Sequence, residues 1–87
     1  MANYIVAYTI KSDSQKGTDF SDFLESIGIK DPVDQSTRYG CYAGDYRQLI
    51  NRINTEIKKL NLSKEDTVML FSAGKNNNLT INKNELI

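Results

Sequence analysis

Residues 45–62, DYRQLINRINTEIKKLNL, decide the fold of this chain. Their apolar side chains recur at steps of three and four residues, which places them on one stripe of an α-helix. The stripe consists of Tyr46, Leu49, Ile50, Ile53, Ile57 and Leu60. Asp45 is predicted to cap this helix, with Gln48 at the capping-box position. Asn61 is predicted to end it in a left-handed conformation, so that Leu62 folds back on the stripe.

A stripe of this length requires an apolar sheet to lie on, and two segments predict its main strands. Residues 3–11 (NYIVAYTIK) and 67–73 (TVMLFSA) are rich in β-branched and aromatic residues. In both segments the two alternating faces are largely apolar. A strand with one face in water would alternate apolar with polar residues, so both strands are predicted to be covered on both faces.

A shorter helix is predicted between the first strand and the middle of the chain. Residues 12–17 are polar and predict a loop. Thr18 or Asp19 is then expected to cap a helix that runs to about Ile27 and stops at Gly28.

The segment after this helix is extended. Residues 30–32 predict a turn, and residues 33–43 (VDQSTRYGCYA) predict two short strands at 33–35 and 37–43, with one bent strand as the alternative. Gly40 within the run indicates a bulge or a close backbone approach. Residues 79–81 predict a last short strand.

The resulting order is strand, helix, two strands, helix, strand. This order predicts an α+β, ferredoxin-like split βαβ sandwich (β-α-β-β-α-β) with an extra C-terminal strand, formed by residues 1–87 as a single domain. Right-handed crossovers place both helices on the same face of an antiparallel sheet.

Composition excludes several classes of chemistry. The 87 residues contain 11 basic and 11 acidic side chains, so no net charge attracts nucleic acid or an anionic membrane. The absence of His excludes Ser–His and Cys–His catalysis. The single cysteine, Cys41, excludes an internal disulfide and is expected to be a small core residue. No segment is typical of a signal peptide or a membrane span, so a cytoplasmic protein is expected.

The apolar surface exceeds what two helices can cover. Because both helices lie on one face, the opposite face of the sheet remains open although it is largely apolar. Such a patch usually marks an interface. A homodimer is therefore predicted, sheet against sheet or edge to edge, with a complex with a different protein as the alternative. The expected interface residues are Ile5, Ala7, Met69, Phe71, Leu79 and Ile81.

The same pieces carry a family resemblance. A first strand reading YIVAYTI is followed by a short helix ending at Gly28, the residues Gln35-Ser36-Thr37 entering a strand, the long amphipathic helix, and a closing DTVMLF. Over residues 3–75 this arrangement resembles the small CRISPR-associated protein 2 superfamily and its relatives of the virulence-associated protein D type. The resemblance implies a ferredoxin-like homodimer, whose C-terminal strand often completes the sheet of the partner.

The resemblance also bears on catalysis. Nuclease members of that superfamily carry an Asp near the end of the first strand, and its two copies hold a divalent ion at the dimer axis. This chain has Thr9 at that position, and a neutral hydroxyl does not supply the anionic oxygen that Mg²⁺ prefers. Asp13, in the following segment, is the only weak catalytic candidate, and no metal site or cofactor is expected unless the protein is a Mg²⁺-dependent nuclease.

Three functional hypotheses follow from the sequence. The first is a non-catalytic homodimeric module for protein interaction or association with nucleic acid, where Lys11, Arg38 and Lys75 are weak candidates for phosphate contacts. The second is a divergent metal-dependent endoribonuclease or endonuclease. The third is a ferredoxin-like module that binds a small ligand.

Overall fold

The structure is a computed structural model that describes residues 2–73 and 84–85. The elements follow the predicted order. They are β1 (Ala2–Thr9), α1 (Ser14–Ser26), β2 (Asp31–Asp34), β3 (Thr37–Tyr42), α2 (Tyr46–Leu60), β4 (Thr67–Ala73) and β5 (Asn84–Glu85). The strand predicted at residues 79–81 lies outside the described residues.

The strands form one antiparallel sheet in the order β2-β3-β1-β4-β5. Each helix connects two strands that have another strand between them: α1 links β1 to β2 across β3, and α2 links β3 to β4 across β1. This is the split βαβ arrangement of a ferredoxin-like α+β fold. The predicted fold class is therefore confirmed, and β1 is central in the sheet as its two apolar faces require.

Both helices pack on the same face of the sheet. On β1 this face consists of Tyr4, Val6 and Tyr8, which are buried together with Val68 and Leu70 of β4. The helices contribute Phe20, Leu24, Leu49, Ile53 and Ile57 to the same hydrophobic cluster. The alternation of side chains along each strand therefore sends the neighbouring residues to the opposite face.

Helix α2 begins and ends as the sequence predicts. The Asp45 carboxylate accepts the backbone N–H of Gln48, and the Gln48 side chain accepts the backbone N–H of Asp45, which completes the capping box. Asn61 is left-handed, with φ 54°. The N–H of Leu62 reaches back to the carbonyl of Ile57, so the helix closes in a Schellman motif.

The predicted start of α1 is wrong by five or six residues. Residues 14–17, expected in a loop, form the first turn of the helix, and the cap is Asp13 rather than Thr18 or Asp19. The Asp13 carboxylate accepts the N–H of Gln15 at 2.8 Å, and the Asp13 carbonyl accepts the N–H of Gly17. Gly17 disfavours a helix by about 1 kcal/mol relative to Ala, which the cap and the tertiary packing of α1 outweigh.

The end of α1 packs closely against β3. Gly28 has φ 101°, and the N–H of Ile29 bonds the carbonyl of Leu24, so this helix also ends in a Schellman motif. A Cβ at Gly40 would collide with the carbonyl oxygen of Gly28 and lie 2.7 Å from the Cα of Ile29. Gly40 therefore marks a close backbone approach, one of its two predicted roles.

Strand boundaries differ from the prediction in two places. β1 ends at Thr9 rather than at Lys11, because the N–H groups of Lys11 and Ser12 bond the Asp66 carboxylate instead of a neighbouring strand. The two short strands predicted after α1 are present, so the alternative of one bent strand is wrong, but β2 begins at Asp31, within the predicted turn. Pro32 is tolerated because β2 is an edge strand.

Candidate interaction surface

The face of the sheet opposite the helices carries the candidate interaction surface. Along β1 its side chains are those of Asn3, Ile5, Ala7 and Thr9. Tyr39 of β3 and Phe71 of β4 lie on either side of Ile5 in the strand register. Ala7 lies in the same way between Thr37 and Met69. We call the set Ile5, Ala7, Tyr39, Met69 and Phe71 the open face.

All five side chains of the open face are half-buried, whereas their neighbours on the helix side are buried. Lateral packing within a sheet shields the flanks of such side chains and leaves their tips accessible. Neither helix lies over this face, because both pack on the other one. The open face therefore presents a row of accessible apolar side-chain ends, in which the rings of Tyr39 and Phe71 flank Ile5, one on each side.

The structure places four of the predicted interface residues together. Ile5, Ala7, Met69 and Phe71 all lie on the open face, and the other two, Leu79 and Ile81, are outside the described residues. Tyr39 was absent from the predicted set. The sequence could have indicated Tyr39, because Tyr39 and Tyr42 are three residues apart in one strand and must point to opposite faces of the sheet.

Cys41 corrects another prediction. It was expected to be a small core residue, but it is exposed on the same side of the sheet as the open face. Its Sγ lies 2.6 Å from the Oδ1 of Asn3, its partner in the β1–β3 register. The buried positions of β3 are Gly40 and Tyr42, because the two-residue period sends Cys41 to the other face.

The end of β1 holds the two residues that bear on catalysis. Thr9 pairs with Thr67 and is exposed. Asp13 is exposed as well, and its carboxylate bonds the N–H of Gln15 as the cap of α1. Within the described residues, no three His, Cys, Asp or Glu side chains are grouped so that they could hold a metal ion.

The predicted phosphate contacts occupy different settings. Arg38 lies on the helix side of the sheet, where its guanidinium donates to the carbonyl of Lys30 at 2.8 Å and to the hydroxyl of Ser21 at 2.6 Å. Lys11 is exposed just beyond β1, and its backbone N–H bonds Asp66. Lys75 lies outside the described residues. A phosphate-binding edge formed by the three stays a prediction.

Asp66 is a buried hub that the sequence did not reveal. Its side chain is fully buried. One oxygen accepts the backbone N–H groups of Lys11 and Ser12, and the other accepts the Ser63 N–H and the hydroxyls of Ser12 and Ser63. Burial alone would raise the pKa of this carboxyl, but the hydrogen bonds hold it well below its usual value.

The Asp66 hub joins the loop after β1 to the loop after α2. It is structural, because every acceptor position faces a donor from the chain itself. The residues 63–66 have the composition of a polar connection, and only the long-range contact with Ser12 shows why an Asp is needed there. This contact holds the end of β1 and the start of α1 in place.

No helix among the described residues is both long and apolar enough to cross a membrane. Comparison with protein-family models, with curated proteins and with solved structures finds no match for this chain.

Proposed function

We propose that this protein is a non-catalytic homodimeric interaction module that assembles through the open face of its sheet. The observation that carries the proposal is the placement of Ile5, Ala7, Tyr39, Met69 and Phe71 on the one face that neither helix covers. Fully burying a large apolar side chain stabilises by about 1.5–3 kcal/mol. Because the large side chains of the open face are already half-buried, covering the rest of each would contribute roughly half of that free energy.

The charge pattern favours a second copy of the chain over nucleic acid. On this face the side chains of β1, β3 and β4 include no Lys, Arg, Asp or Glu from residue 3 to residue 71, and the two charged residues that the register pairs with it, Asp31 with Tyr39 and Glu85 with Met69, are acidic. A surface that binds a polyanion needs cations for the phosphates. A mainly apolar surface without cations, in contrast, can be complementary to itself, as a two-fold symmetric interface requires.

The sheet edge at β2 is a poor alternative interface. Pro32 has no N–H to donate, the pairing with β3 is irregular between Pro32 and Asp34, and Asp31 and Asp34 carry like charges. These are features by which proteins protect an edge strand against pairing with another chain. Of the two modes of association predicted from the sequence, contact of sheet against sheet therefore has the stronger support at this side of the molecule.

The non-catalytic part of the proposal is supported by the end of β1. The resemblance to the CRISPR-associated protein 2 superfamily places the nuclease Asp at position 9, where this chain has an exposed threonine. Asp13, the substitute candidate, has its carboxylate engaged in capping α1. A scaffold or regulatory subunit of that general type needs the dimer and the sheet but no metal-binding carboxylate.

The experiment compares two substitutions that introduce the same charge. Ile5→Glu places a carboxylate at the centre of the open face, and in a symmetric dimer two such charges meet. Asn51→Glu is the matched control, because Asn51 is exposed on α2, which packs on the opposite face of the sheet. We expect light scattering to give a monomer for Ile5→Glu and a dimer for Asn51→Glu, with both variants folded by circular dichroism. A folded, fully dimeric Ile5→Glu would refute the proposed interface.

The divergent nuclease alternative has its own test. Single-stranded RNA and duplex DNA are incubated with the protein and Mg²⁺ or Mn²⁺, and the Asp13→Ala variant is assayed in parallel. Our proposal expects no metal-dependent cleavage by either protein. Cleavage that requires the metal and disappears in Asp13→Ala would contradict it and establish the nuclease.

A further inference from the structure

A surface cleft of about 620 Å³ lies between α1 and the turn that joins β2 to β3. Tyr8 of β1 and Ile10 just after it line the cleft, as do Pro32 of β2 and Gln35 of the turn. The cleft is on the helix side of the sheet, so it is separate from the open face. A dimer formed through the open face would leave it accessible.

One wall of the cleft is a helix face made of small polar residues. Ser14, Gly17, Thr18, Ser21 and Asp22 follow one another on α1 at helical spacing, and all of them line the cleft. None of these side chains is long enough to fill the space. Gly17 leaves it most open, because a Cβ there would meet only the Cβ of Ile10, at 3.9 Å.

Arg38 brings a positive charge to this cleft from β3. Its guanidinium is held by the Ser21 hydroxyl and the Lys30 carbonyl. Both of these acceptors are neutral, and no carboxylate of a described residue lies within ion-pair distance of Arg38. A guanidinium has five N–H donors, so these two hydrogen bonds fix its position and leave donors for a ligand.

Asp22 brings the opposite charge from α1. It is exposed, and its carboxylate makes no hydrogen bond or ion pair with any described residue. Asp34, the other carboxylate of the cleft, is already engaged: hydrogen bonds from the Ser36 N–H and the Thr37 hydroxyl lower its pKa. The cleft thus holds one cation and one anion that lack ionic partners among the described residues and do not touch each other.

We propose that the cleft binds a small zwitterion of the amino-acid class, with its carboxylate on Arg38 and its ammonium on Asp22. A guanidinium that retains free N–H groups is a strong partner for a carboxylate. The ammonium group follows from the charge balance. Two carboxylates and one guanidinium give the cleft a net negative charge, which disfavours phosphate, nucleic acid or another simple anion. The hydroxyls of Ser14 and Thr18 supply further polar contacts.

Isothermal titration of the intact protein with each of the standard L-amino acids tests this proposal. For an amino acid that binds, two derivatives are titrated next: the N-acetyl form, which lacks the ammonium, and the C-terminal amide, which lacks the carboxylate. We expect saturable binding that weakens about tenfold or more for each derivative, because each loses one of the two charge contacts. Inorganic phosphate is titrated as the probe for a plain anion site.

Variants locate the site. Arg38→Met and Asp22→Asn are expected to weaken binding about tenfold or more, whereas Arg52→Met, a cation-to-neutral change on α2 outside the cleft, leaves it unchanged. Asp22 is exposed and makes no contact that the fold needs, so Asp22→Asn keeps the fold and remains informative if Arg38→Met unfolds the protein. Absence of binding by every amino acid, binding of phosphate instead, or unchanged affinity in Asp22→Asn would each overturn the proposal.

Discussion

Replacing Asp66 by asparagine tests how the loops of this fold are held. Asn has nearly the same shape, but one carboxylate oxygen becomes an NH₂ group, which cannot accept a hydrogen bond. If that group takes the position facing Ser63, the partly buried N–H of Ser63 loses its acceptor, which in the wild type lies 2.8 Å away. If it takes the other position, the N–H groups of Lys11 and Ser12 lose theirs.

The magnitude follows from these bonds. An unsatisfied buried donor costs about 1–3 kcal/mol, and a hydrogen bond to a neutral acceptor is weaker by about 1 kcal/mol than one to a charged acceptor. Because the orphaned N–H is only partly buried, the lower half of the first range applies. Together with the two weakened bonds, Asp66→Asn should lower the free energy of unfolding by about 3–4 kcal/mol. That is a large part of the roughly 5–15 kcal/mol that stabilises a typical domain.

The effect must also depend on pH. The pKa of Asp66 is lowered in the folded state, so the ionised carboxylate contributes stability above the pKa of the unfolded chain, about 3.8. This contribution is lost as the pH falls towards the folded-state pKa. The difference between the wild type and Asp66→Asn is therefore expected to be complete at neutral pH and to shrink progressively below about pH 4.

Urea unfolding followed by circular dichroism, at equal protein concentration, measures both the loss of stability in Asp66→Asn and its dependence on pH. Equal concentration matters because the proposed dimerisation would add to the apparent stability. Glu65→Gln is the matched control, because Glu65 is the exposed acidic neighbour of Asp66, and its change should stay within about 0.5 kcal/mol. A loss below about 1 kcal/mol for Asp66→Asn, or a loss that does not shrink in acid, would refute the role of the hub.

Two further predictions concern the backbone and the main helix. Gly40→Ala should destabilise the protein by about 2–3 kcal/mol, because the added Cβ would collide with the backbone at Gly28. Gly17→Ala should instead stabilise it by about 0.5–1 kcal/mol, because Gly17 is a helical glycine with open space around it. Equal effects of the two substitutions in thermal unfolding would contradict this. Asp45→Ala should cost about 1 kcal/mol by removing the cap of α2. Asp45→Asn, which keeps an acceptor oxygen, should unfold at nearly the wild-type urea concentration, and a matching loss in both variants would show that the cap is unimportant.

The sequence predicted best what is specified locally. Asp45, Gln48 and Asn61 define α2 through contacts within a few residues, so its boundaries follow from the sequence alone. The alternation along β1 and β4 likewise identifies which apolar residues share a face. This alternation is sufficient to name four of the five residues on the open face.

The remaining features depend on contacts between distant residues. Asp13 was missed as the cap of α1 because a polar segment containing Gly17 resembles a loop, and the packing that makes it helical involves the sheet. Asp66 reaches Lys11 and Ser12 across more than 50 positions of sequence, which no local pattern indicates. The cleft at Arg38 is formed by residues of β1, α1, β2 and β3 and likewise has no local signature.

The solution mass of the unmodified chain tests the central claim most directly. Sedimentation equilibrium over a range of micromolar concentrations should give about twice the 9.9 kDa mass of one chain, because the proposed dimer would bury the open face against its counterpart in a second copy. A mass of one chain at every concentration would show that the open face is tolerated in water and would contradict the proposed assembly.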